Sequence, residues 1–138
     1  MAAAAVALLL AGCQTLGAPR DSRIISGVPA AKADAAALFS GLQRPAPDCT
    51  AAANAAGLGK VQDDLAGLTA AAQATPGNSF SQRGFAKLQS SYGAFRQGVE
   101  AGGARCTPPA VVSDYGASFN RTLDDLLSYE QRKPEPRP

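Results

Sequence analysis

The chain of 138 residues carries 13 Lys and Arg against 11 Asp and Glu, a formal charge of +2, and no His. That balance is too small, and too free of dense basic runs, for a nucleic-acid surface. The missing imidazole removes the commonest general base and the commonest metal ligand together. Ala dominates the apolar content, aromatics make up only 6% and Trp is absent, so the composition predicts one all-α domain with flexible ends and an Ala-rich core.

Met1 to Gly12 reads MAAAAVALLLAG, without a charge. It falls short of the roughly 20 apolar residues that a bilayer span needs. Its length and small terminal residues fit the apolar region and cleavage site of a secretory leader. The Lys or Arg with which such leaders open is missing, which points to a start a few codons upstream of Met1. Leu10-Ala11-Gly12-Cys13 resembles the lipobox of bacterial lipoproteins. The resemblance implies removal of residues 1–12, diacylglycerol on the Cys13 thiol and acylation of its new amino group, a set of chains that does not readily leave a membrane. Gln14, at a position where Asp would imply retention in the inner membrane, implies the outer membrane, with the chain lipid-anchored on its periplasmic side.

Residues 13–28 are broken by Gly17, Pro19 and Gly27 and are followed by Pro29, and so read as a lipidated tether. As a flexible coil it would span on the order of 20 Å. The bundle domain is expected over residues 29–131. Its first helix, Pro29 to Gln43, sets Ala31, Ala35, Leu38, Phe39 and Leu42 on one side and stops at Pro45-Ala46-Pro47. Asp48 is placed to cap a helix over Thr50 to Ala74, in which Leu58, Val61, Leu65, Leu68 and Ala72 recur at alternating intervals of three and four. Thr75-Pro76-Gly77-Asn78 is a turn sequence, and Ser79 with Gln82 forms a capping-box pattern. The next helix repeats the interval with Phe85, Leu88, Tyr92, Phe95 and Val99 and ends at Gly102-Gly103. Thr107 and Pro108 then open a last helix whose seam is Val112, Tyr115, Phe119, Leu123 and Leu126. The Pro-rich residues 132–138 read as a disordered tail.

Alternating steps of three and four mark helices packed at small crossing angles, so the expected fold is a three- to four-helix antiparallel bundle. With Cys13 assigned to lipid, Cys49 and Cys106 form an even pair in an oxidising compartment and are expected to bridge. Folding the second and third long helices back at Thr75–Ser79 brings the two cysteines together. Closing the loop between them is expected to stabilise the domain by roughly 4 kcal/mol.

Chemistry-bearing sets are sparse. Asp63-Asp64 and Asp124-Asp125 sit beside the seams, and adjacent helical residues diverge by about 100°, so neither pair converges; both read as solvated faces. Ser90, Ser91, Ser113 and Ser118 have no His to activate them, and Lys60 and Lys87 lie in no dyad motif. Gly102-Gly103 ends a helix and does not follow a strand, so it is not a phosphate loop. Arg132, Lys133 and Arg137 read as a solvated terminus. The expectation is therefore a protein that is not an enzyme, with no catalytic residues, no metal site and no cofactor. It would be an interaction or assembly module with a protein partner in the cell envelope and no nucleic-acid partner. The other reading open to the sequence is a small apolar ligand or lipid binder with a cavity between helices. In layout and address the chain resembles the pilotins, small helical lipoproteins that escort secretin subunits, without a residue-level motif in common.

Overall fold

The computed structural model describes residues 17–136. Four helices make up the fold: α1 (Ser22–Leu42), α2 (Ala55–Ala74), α3 (Ser79–Ala101) and α4 (Pro109–Gln131), with no strand among the described residues. Each helix packs on its sequence neighbours and α1 closes against α4, an up-down-up-down ring around one core. The expected seams are the seams observed. Ala31, Ala35, Leu38, Leu58, Val61, Leu65, Phe85, Leu88, Tyr92, Val112, Phe119 and Leu123 are all buried. Cys49 and Cys106 are bridged, with Cα atoms 5.2 Å apart.

The core is uneven along its length. Its disulfide half is aromatic: Phe39 meets the rings of Phe95, Tyr115 and Phe119 edge-on, and Phe95 stacks on Tyr115 at 4.1 Å. Tyr92 donates its hydroxyl to the Leu58 carbonyl oxygen at 2.8 Å, satisfying the one polar atom it takes into the core. Towards the other end, the α1–α2 contact is built from Ala31, Ala35, Ala71 and Ala72 with Ile24, Val28 and Leu65.

Four local expectations change. The stretch assigned to a tether over residues 13–28 is helical from Ser22, because Ile24 and Val28 extend the α1 seam and are fully buried. Burying two such side chains contributes about 3–6 kcal/mol, enough to offset roughly 4 kcal/mol for Gly27 and Pro29 in a helix. Pro29 also faces solvent, where the carbonyl it leaves without a partner can be hydrated.

The second helix begins at Ala55 and not near Thr50. Thr50 Oγ1 accepts from the Ala53 amide, and Asn54 Nδ2 donates to the Asp48 and Thr50 carbonyls, so these side chains stabilise turns in place of helix.

Ser79 and Gln82 make no capping box. Asn78 flanks α3, and the Gln82 amide reaches back to the Ala72 and Thr75 carbonyls at the end of α2.

The tail is not free over the residues described. Lys133 is buried, and Pro134 accepts from the Arg20 amide at 2.9 Å. Residues 137 and 138 lie outside the described range.

Candidate functional site

Cys13, the residue on which the lipid expectation rests, lies outside the described residues together with the rest of its lipobox. Ala18, close behind it, is buried, and the Ala18 side chain lies beside Gly77 in the α2–α3 turn. The incoming chain therefore docks at the end of the bundle opposite the disulfide.

That end is held by a buried polar network that has no counterpart in the sequence expectations. Glu130, on the last turn of α4, is fully buried. Its carboxylate accepts from Ser81 Oγ, from Asn78 Nδ2 at 3.1 Å, from Lys133 Nζ at 2.6 Å and from the Asp21 amide at 3.4 Å. Lys133 also donates to Asn78 Oδ1. Burial pushes the Glu130 carboxyl up, but Lys133, Ser81 and Asn78 together hold it below its ordinary value. Beside it Asp21 caps α1 by accepting from the Arg23 amide at 2.9 Å. The Arg23 side chain, against the opposing effect of burial and with help from Thr75, brings the Asp21 carboxyl down to about 2. Both carboxylates have their acceptor capacity spent on protein donors, so the cluster fixes how α1, α4 and the α2–α3 turn meet.

A concavity with a volume of about 590 Å³ runs between α1 and α2. Its floor is made of small residues, Gly27, Ala30, Gly67, Ala70 and Ala71, with Arg23 towards one end and Asp64 towards the other. Small residues keep the two backbones within reach of an incoming surface, which suits a helix face more than a compact solute.

At its acidic end the expectation of two solvated aspartates divides. Asp63 is exposed, whereas Asp64 is half-buried with Oδ2 lacking a protein partner. Asp34 on α1 faces Asp64, with Lys60 Nζ 2.9 Å from Asp34 and 3.8 Å from Asp64. Burial and the neighbouring Asp34 carboxyl push Asp64 up, while Lys60 draws Asp34 down. The sequence reading weighed Lys60 only as a dyad partner for a serine and did not reach Asp34. The available clue was the Lys60–Asp64 spacing of four residues on one helix, but the partner on α1 follows only from the packing.

A smaller cavity of about 270 Å³ opens between α3 and α4, lined by Lys87, Ser91, Tyr115, Ser118 and Thr122 among others. The Tyr115 hydroxyl is buried there without a hydrogen-bond partner, and burial pushes its phenol up. Asp124 is not paired with Asp125 but with Lys32 of α1. Among the described residues no three His, Cys, Asp or Glu side chains come together as metal ligands, and no helix is long and apolar enough to cross a membrane. Comparison with family models, curated proteins and solved structures finds no match to the chain.

Proposed function

We propose that the protein is an outer-membrane lipoprotein, anchored through Cys13 on the periplasmic side, whose bundle is a non-enzymatic interaction module of the cell envelope. The observation that carries the reading is the sequence Leu10-Ala11-Gly12-Cys13-Gln14 ahead of a domain whose two other cysteines are bridged. A disulfide between them fits an oxidising compartment and leaves Cys13 as the one thiol available for lipid. The α1–α2 groove is the partner-binding face in this reading, since its small residues admit a helix and Arg23 and Asp64 offer charges for register.

Site-specific photo-crosslinking in intact envelopes tests it. A photoreactive residue at Ala70, in the groove, is expected to give a discrete protein adduct, and one at the exposed Ala94 of α3 none. Equal labelling from both positions, or none from either, would remove the module reading.

A second reading, a small apolar ligand or lipid binder, draws support from the α3–α4 cavity and the unpartnered Tyr115 hydroxyl inside it. It requires a fatty acid or phospholipid to remain bound in native mass spectrometry and to raise the melting temperature. Tyr115→Phe should weaken both effects.

A further inference from the structure

The distance from the anchor to the fold is short. Cys13 and Ala18 are separated by five peptide units, a span of at most about 18 Å when fully extended. Ala18 is buried against the α2–α3 turn, and Arg20 is tied to the end of α4 through the carbonyls of Gln131 and Pro134. The helices themselves extend about 35 Å at 1.5 Å per residue. An anchor at Cys13 thus keeps one end of the bundle near a bilayer and allows the disulfide end to stand well away from it.

The near end carries the residues that a lipid surface selects. Phe80, on the first turn of α3, is 45% exposed, and its ring lies 4.3 Å from that of Tyr129 on α4. Arg83 follows Phe80 by three residues on α3, and Arg132, the residue that caps α4 in a helical conformation, follows Tyr129 by three, so each lies on the same side as its aromatic. Both are exposed, and neither has an ion-pair partner among the described residues. The other cations of this end are spoken for: Arg20 pairs with Glu135, Arg23 with Asp21 and Lys133 with Glu130. An exposed ring packed on a half-buried one, which carries Lys133 Nζ 4.8 Å from its centre, and flanked by unpaired guanidinium groups matches the boundary between acyl chains and anionic headgroups.

Resting on the reading of Cys13 as the anchor, we infer that this end face is a membrane-contact surface. Phe80 and Tyr129 enter the headgroup region of an anionic phospholipid bilayer, Arg83 and Arg132 meet its phosphates, and the bundle stands end-on. The Glu130 network serves that placement by fixing the α4 terminus against the α2–α3 turn, so the two aromatics and two arginines form one rigid face.

The absence of Trp from the chain makes the test direct. Single Trp residues are introduced as Phe80→Trp and, at the exposed start of α4 near the disulfide, as Val111→Trp. The full-length chain is coupled through its Cys13 thiol to a maleimide-headgroup lipid in vesicles of phosphatidylcholine and phosphatidylglycerol that contain brominated acyl chains. Strong quenching of Trp at position 80 with little at 111 is the expected result. Arg83→Glu with Arg132→Glu should abolish most of it, as should high salt. Equal quenching at both positions would mean that the bundle lies on its side. Quenching at neither would mean that it is held off the bilayer, and an unchanged signal in the double Glu variant would remove the headgroup contact; each overturns the inference. Because the coupling imposes the anchor chemically, these results do not depend on whether a cell lipidates Cys13. A chain recovered from cells without acyl groups would instead defeat the anchoring reading.

Discussion

Without its carboxylate, position 130 would leave Asn78, Ser81 and Lys133 facing one another in a region closed to solvent. Breaking a buried, hydrogen-bonded ion pair from one side typically destabilises by about 3–5 kcal/mol, so Glu130→Ala is expected to lower the unfolding free energy by that order in urea titrations. Lys133→Ala should cost about 2 kcal/mol, since Ser81 and Asn78 still serve the carboxylate. A disordered tail would make the Lys133 change silent within about 0.5 kcal/mol. The same carboxylates set the acid limb of stability. Asp21 and Glu130 have folded-state values below their ordinary ones, so the stability they contribute is present at neutral pH and is lost as pH falls through those values. For Asp21 that window runs from its ordinary 3.8 towards about 2. Asp34 and Asp64 move in opposite directions. Asp21→Asn should therefore flatten the fall in stability across this window, measured by denaturation at a series of pH values.

At the scale of elements, the glycines separate packing from helix preference. A Cβ on Gly84 of α3 would overlap the Leu126 side chain of α4, and Leu126 is itself buried and boxed in. Around Gly93, nine residues further along α3, nothing lies within reach of a Cβ. Gly93→Ala is expected to raise stability by about 0.5–1 kcal/mol through helix preference. Gly84→Ala should lower it by about 1–2 kcal/mol, because overpacking outweighs the same gain. Opposite signs for one substitution in one helix, read from melting curves, would establish close approach at Gly84; equal signs would refute it. Legibility differed between elements for a similar reason. The seams of α2, α3 and α4 were readable because steps of three and four are repeated by large side chains such as Leu65, Phe85 and Phe119. The start of α1 was not, since Gly27 and Pro29 signal a break locally while Ile24 and Val28 are rewarded only by burial against other helices. The onset of α2 was hidden likewise by Thr50 and Asn54, whose side chains cap turns as readily as they precede helices.

In the whole molecule the disulfide half and the network half do different work. The bridge closes a loop of 57 residues beside an aromatic cluster, while the other end relies on charged and amide groups for its alignment. Replacing Cys49 and Cys106 by Ala is expected to reduce stability by roughly 4 kcal/mol without altering the helical content. The pairing itself was legible, because an antiparallel hairpin of α2 and α3 returns the chain to its starting end. The Glu130 network was not, since Glu130 and Lys133 look like a solvated helix end until α1 is placed across them. Of the candidate sites, the α1–α2 groove could not be seen in composition either: Gly27 and Gly67 become its floor only once their helices pair.

Anchoring through Cys13 is decided by the intact mass of the protein produced in a Gram-negative host and measured without reduction. The expected species begins at acylated Cys13 and carries one closed disulfide. A chain that retains residues 1–12, with no acyl group on Cys13 and all three cysteines reduced, would contradict that anchoring.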